Sequence, residues 1–167
     1  FGAEGYYFSF GYINLTRTNL TLCAWLNTRD VVTNSDGWIF RQWTSSNGVA
    51  LFRHHDDIVF EVGSYNDRLQ VNNVFNVNSW QHVCVKREDN NLSIFMNGSL
   101  VGSGNRTITQ AENLPFYISG YYDAGGQVSS WNGSIDEVLI FNRSLSIREI
   151  QSLYSASSYK YENNFFL

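Results

Sequence analysis

The chain has 167 residues, 16% of them aromatic and 16% charged, with one proline and a formal charge of −4 at pH 7. That balance fits a single strand-rich unit over residues 1–167, able to bury roughly 70% of its unfolded surface, and favours a globular domain over disorder. Negative charge without a cluster of Lys and Arg argues against nucleic acid, and no apolar run approaches the ~20 residues of a membrane span. The chain opens on Phe1 without methionine, so it reads as a processed chain or a piece of a longer one.

In chain order, strands are expected at about 6–13, 19–27, 37–43, 48–54, 57–62, 68–74, 80–87, 92–97, 115–119 and 133–141, with Gly, Asn, Asp and Ser between them. His54-His55-Asp56-Asp57 resembles a metal cluster at first sight. Adjacent strand residues point to opposite faces, however, so these four read as a hairpin turn. Farther on, His82 and Cys84 alternate with Val83 and Val85, which suits a strand with two unlike faces. Glu88-Asp89-Asn90-Asn91 is a polar turn, Leu92, Ile94 and Met96 alternate in the return strand, and Asn97-Gly98 signals a type I′ hairpin. Residues 121–130, YYDAGGQVSS, form the longest loop. Asn132-Gly133 opens a strand carrying Ile135, Val138, Ile140 and Phe141.

Ser146 with Glu149 then makes a capping box, and Ile147, Ile150, Leu153 and Tyr154 recur at helical spacing. The helix is expected over about 146–155, followed by a tail, 156–167, that ends in Phe165-Phe166-Leu167. A frayed terminus and a last strand pairing with the first at one sheet edge are both open for that tail. Short strands with one late helix indicate a two-sheet sandwich.

Two blocks carry a family resemblance. The run from Trp131 to Tyr154, WNGSIDEVLIFNRSLSIREIQSLY, and the run from Trp80 to Gly104, WQHVCVKREDNNLSIFMNGSLVGSG, resemble the laminin-G-like and pentraxin-like modules of the concanavalin A-like lectin/glucanase superfamily. The likeness extends from about Phe1 to Tyr154 and is faint between Asp30 and Asn78. It implies an all-β, two-sheet antiparallel jelly-roll sandwich with one short C-terminal helix, used for recognition outside the cell. It implies a disulfide between Cys23 and Cys84, which the residues alone leave open against two buried free thiols. The first strand would start ahead of Phe1. The acidic pair expected there is replaced by Phe1-Gly2-Ala3-Glu4-Gly5, and the double-calcium loop of the pentraxin-like members is not matched. No cofactor is assigned, although a structural calcium has Asp123 and Asp136 as side chains to supply.

Asn14, Asn19, Asn91, Asn97, Asn105, Asn132 and Asn142 each begin an Asn-x-Ser/Thr sequon, against roughly three expected by chance. They point to a secreted or cell-surface glycoprotein. No carboxylate pair has the spacing a jelly-roll glycosidase needs, and His82 reads as structural, so the chain is expected not to be an enzyme. Trp25, Trp80 and Trp131 read as core. Ligand contacts are expected at exposable aromatics and their neighbours: Trp43, Tyr65, Tyr121, Tyr122 and Asp123. The expected partners are glycans or glycosylated, matrix-like surface proteins. A structural module that joins neighbouring domains or copies of itself through strand edges or termini is the second reading, and a jelly-roll hydrolase or lyase the third.

Overall fold

A computed structural model describes residues 8–12, 15, 19–30, 36–43, 47–64, 66–108, 114–120 and 130–162. Its elements are β1 (Phe8–Tyr12), β2 (Leu20–Thr28), β3 (Gly37–Trp43), β4 (Asn47–His54), β5 (Asp57–Ser64), β6 (Arg68–Val71), β7 (Trp80–Glu88), β8 (Asn91–Met96), β9 (Ser99–Asn105), β10 (Pro115–Ile118), β11 (Gly133–Phe141) and α1 (Ile147–Glu162). Six strands pair in the order β1-β10-β3-β4-β5-β6 and five in the order β11-β2-β7-β8-β9. The all-β antiparallel sandwich with a C-terminal helix is the expected one.

Alternation places the core. In β2, Leu22, Ala24 and Leu26 face inward, beside Val83 and Val85 of β7 and Ile94 of β8. Phe40, Leu51, Ile58, Phe60 and Phe116 meet them from the six-stranded sheet. Each such fully buried side chain contributes about 1.5–3 kcal/mol. The other face of β2 and β7 is buried too, because α1 lies across it. Cys23, Cys84, Phe95, Leu145 and Ile150 form this second cluster.

Local signals hold where they are contiguous. The Asn97-Gly98 turn has φ of 48° and 75°, as a type I′ turn requires. His55-Asp56 is the turn between β4 and β5, as read from the sequence. Ser146 caps α1: its Oγ accepts from Glu149 N–H at 3.3 Å, and its own N–H donates to Glu149 Oε2 at 2.8 Å.

Two expectations need correction. The helix does not stop near 155 but continues to Glu162. Tyr161 stacks on Trp25 with ring centroids 4.2 Å apart, and Trp25 Nε1 donates to Ser157 Oγ at 2.9 Å. Docking on the sheet thus sustains turns that lack strong apolar periodicity. Residues 159–162 are therefore helical and lie on the five-stranded sheet, whereas β1 is an edge of the six-stranded one. They form no terminal strand beside β1; residues 163–167 lie outside the described residues. The second correction is β9, a strand that the sequence reading left out. Its Gly102 is required by close approach: a Cβ there would come within 2.5 Å of Val71 Cγ2 in β6.

Candidate functional site

The two sheets each have an outer face, and only one is covered by a described element. On the five-stranded sheet, the Cys23–Cys84 disulfide joins residues directly opposite in β2 and β7, with Cα atoms 4.1 Å apart. His82 follows on the same face, with its Nε2 3.9 Å from Cys84 Sγ. These three residues have the identities of a metal site, but both sulfurs are consumed by the bond. His82 is 3% exposed and packs against Trp25 and Tyr154. Burial pushes its pKa down to about 4, against the pull of Glu137. It is a neutral packing residue, as the sequence suggested.

Asp136 belongs to the same structural region. Its Oδ2 accepts from Tyr161 Oη at 2.8 Å and Lys160 Nζ at 3.1 Å, and its Oδ1 from Glu137 N–H at 2.8 Å. Although burial opposes it, these bonds hold the carboxyl below its ordinary pKa. The carboxylate clasps the end of α1 to a bulge in β11, where Glu137 has φ of 47°. Asp136, one of the side chains expected to supply a structural calcium, thus already accepts from three protein donors. The other expected ligand, Asp123, lies outside the described residues, as do Tyr65, Tyr121, Tyr122 and Asn14.

The outer face of the six-stranded sheet is different. Register places Tyr117, Arg41, Ala50, Glu61 and Arg68 in one row across β10, β3, β4, β5 and β6. The adjoining row holds Trp38, Phe52, Val59 and Gln70. Trp43, Gly48 and Gly63 form a third, in which two strands present no side chain beside the indole. Trp38 packs on Phe52 with ring centroids 4.5 Å apart, and the Arg41 guanidinium lies 4.5 Å above the Trp38 ring. Trp43, the one expected ligand aromatic within the described residues, joins this patch and is half-buried.

Glu61 is not among the ligand contacts expected from the sequence. It is 2% exposed, and its Oε1 has no hydrogen-bond partner. Burial lifts its pKa to about 7; Arg68 and Arg41 pull it down without prevailing, while Asp36 adds to the rise. A signal was present in Asp57-Ile58-Val59-Phe60-Glu61, where alternation sets Glu61 on the face opposite Ile58 and Phe60. A lone carboxyl among apolar strand residues is the kind of buried polar group that calls for a reason.

The centre of this face is buried, with Ala50, Phe52, Val59 and Glu61 all at most 4% exposed, and only its half-buried margin of Trp38, Arg41 and Trp43 reaches solvent. Two-carboxylate chemistry is not supplied from β5. Asp57 shares the face with Glu61 but stands four residues away, roughly 13 Å along the strand, beyond the ~5–9.5 Å a glycosidase uses. Its oxygens also accept from Gln70 Nε2 at 2.7 Å and Asn73 N–H at 3.0 Å.

Comparison with known proteins agrees with this architecture. No curated protein matches the chain by sequence. A native heptameric SAP-like pentraxin from Limulus polyphemus superimposes with a TM-score of 0.70 and 17% identity, over 92% of this chain and 77% of that one. The chain also matches a structure of botulinum neurotoxin type C, whose cell entry depends on two ganglioside molecules, with a TM-score of 0.65 and 15% identity over 84% of this chain and 36% of that one. It matches the binding domain of botulinum neurotoxin DC in complex with rat synaptotagmin II with a TM-score of 0.66 and 17% identity, over 86% of this chain and 37% of that one. It therefore spans a little over a third of these toxin structures. At such identities the likeness concerns the fold. The Laminin G 3 family model, described as the concanavalin A-like lectin/glucanases superfamily, matches residues 2–151. With its sandwich, disulfide and helix in place, the chain belongs to that superfamily.

Proposed function

We propose that this chain is a non-catalytic recognition module of a secreted or surface-exposed protein. It binds carbohydrate on the outer face of its six-stranded sheet. The observation that carries the reading is the half-buried margin of that face, where Trp38, Trp43 and Arg41 reach solvent beside the buried Glu61 carboxyl. Sugars offer both halves of the complementary chemistry, C–H faces for indoles and hydroxyl groups for a carboxyl and guanidinium groups. The ganglioside dependence of a toxin that shares the fold supports glycan as the ligand class, and the synaptotagmin complex leaves room for a glycosylated protein. The cross-strand disulfide supports an oxidising compartment.

Screening the purified chain against arrayed glycans tests this. Selective binding should fall at least tenfold in Trp38→Ala and in Glu61→Gln, while folding by circular dichroism is retained. No selective binding, or binding indifferent to both changes, would overturn the assignment of the face. The same protein should release no reducing ends from the glycans it binds.

A second reading, assembly through strand edges, is favoured by one feature. β11 is an edge of its sheet and exposes Leu139 and Ile140, and a cleft of about 330 Å³ separates it from Phe8 and Ile118. Concentration-dependent association that Ile140→Lys abolishes would favour this reading over glycan binding.

A further inference from the structure

The sequons are scattered along the chain, yet the fold gathers most of the described ones at one end of the five-stranded sheet. Asn91 opens β8 and pairs with Asn105 at the end of β9. Glu88 pairs with Asn91, and Leu20 with Arg87, so Asn19 lies one step beyond the β2 ladder at the same end. Phe141 pairs with Thr21, which brings Asn142 to that end of β11. The four asparagines thus run along the end of a sheet five strands wide, roughly 19 Å at ~4.8 Å per spacing.

The amide contacts sort them. Asn19 Oδ1 accepts from Asp89 N–H at 2.7 Å, which leaves its nitrogen as the outer group. Asn105 Oδ1 accepts from Asn91 Nδ2 at 3.2 Å, so Asn105 is anchored by oxygen, whereas the Asn91 nitrogen is the one engaged. Asn142 is exposed in the bend that follows β11. At the opposite end, Asn132 Nδ2 donates to Asp30 Oδ2. Asn97 is anchored by its oxygen as well, its Oδ1 accepting from His82 N–H at 2.8 Å, but it is also held by its own N–H, which donates to His82 O at 2.8 Å, in a tight turn at φ 48° whose next residue packs on α1. Next to it, Gly98 faces Tyr154 of α1, whose Cδ1 would lie 3.1 Å from an added Cβ.

We infer that Asn19, Asn105 and Asn142 are the N-glycosylated positions among the described sequons, and that Asn91, Asn97 and Asn132 stay bare. In the transfer, the asparagine Nδ2 forms a bond to C1 of a sugar carried on a lipid pyrophosphate. The C1–O bond breaks, the lipid pyrophosphate leaves with the electron pair, and the amide gives up one proton to a base of the transferase. The glycans then clothe one end of the five-stranded sheet. They leave the outer face of the six-stranded sheet, on the other side of the sandwich, to the ligand. Bonds already present survive the modification, because Asn19 and Asn105 keep their oxygens as acceptors.

The inference rests on surface placement of the protein. Glycopeptide mass spectrometry of protein isolated from its own source reads the occupancy of each site. Sugar on Asn19, Asn105 and Asn142, with none on Asn91, Asn97 and Asn132, is the expected result. Bare asparagine at the three, or occupancy at Asn91, Asn97 or Asn132 equal to theirs, overturns it. If the sequons are bare while Cys23 and Cys84 are disulfide-bonded in protein recovered from outside the cell, only the glycan assignment falls. If the sequons are bare and the thiols reduced inside the cell, the placement falls with it. Thr107→Ala removes the Asn105 sequon at an exposed residue without touching the Asn91–Asn105 bond. It should lower the mass by one glycan and leave the thermal midpoint unchanged.

Discussion

The two outer faces of the sandwich solve the burial of a titratable group in opposite ways. Beneath α1, His82 sits among Trp25, Tyr154 and the disulfide, and burial holds it neutral by lowering its pKa to about 4. On the six-stranded sheet, the same desolvation pushes Glu61 toward its neutral form and raises its pKa to about 7. One face is closed over by the chain's own helix, where an aromatic box and a covalent bond supply the packing. The other carries a carboxyl oxygen with no hydrogen-bond partner, as His82 Nδ1 also has none, and has no described element over it. Burial with an unpartnered polar atom therefore marks both faces alike. The contrast lies in the cover: the chain's own helix lies over one face, and no described element lies over the other.

Loss of the disulfide should have the largest effect on the closed face. The bond spans 61 residues, and removing it in a Cys23→Ala/Cys84→Ala variant should cost about 4 kcal/mol, a fall of roughly 10 °C in thermal midpoint. Glycan binding measured well below the new midpoint should survive, since the six-stranded face does not depend on α1. Loss of binding in the still-folded variant would break the separation of the two faces.

The pH dependence comes next. A histidine lowered from 6.5 to about 4 binds fewer protons folded than unfolded within that window. Its contribution of about 3 kcal/mol is present above pH 6.5 and lost as pH falls through 4. Glu61, raised from 4.5 to about 7, binds more protons folded. Its contribution, also about 3 kcal/mol, is present below pH 4.5 and lost as pH rises through 7. The two oppose each other between pH 4.5 and 6.5, so their joint effect on wild-type stability is small there. Urea denaturation across that range should show Glu61→Gln losing stability on acidification and His82→Gln gaining it, each relative to wild type. Parallel profiles for all three proteins would show that neither face shifts its group.

Smaller effects sharpen the picture of the closed face. Tyr161→Phe deletes the hydroxyl that donates to Asp136 but keeps the ring stacked on Trp25, and should cost about 1 kcal/mol by chemical denaturation. Ser146→Ala removes the cap of α1 and should cost about 1 kcal/mol as well, with no change on the six-stranded face.

What the sequence determined by itself is what neighbouring residues encode. The turns at Asn97-Gly98 and His55-Asp56 follow from a few contiguous residues, and Ser146 and Glu149 cap a helix whatever it packs on. The alternation of His82, Val83, Cys84 and Val85 sorts two faces without knowing what covers either, and family likeness supplied the pairing of the cysteines. Tertiary structure decided the rest. The end of α1 at Glu162 depends on Trp25, more than a hundred residues earlier, although Tyr154, Ser157 and Tyr161 do share one helical face. β9 is glycine-rich and poor in strand formers; it exists because β8 pairs with it, and its Gly102 lets Val71 approach. The row of Arg41, Glu61 and Arg68 is assembled by register between strands that are distant in sequence. Side-chain period and turn chemistry act over two to four residues, whereas an upward-shifted carboxyl needs the low dielectric that only the assembled sandwich provides.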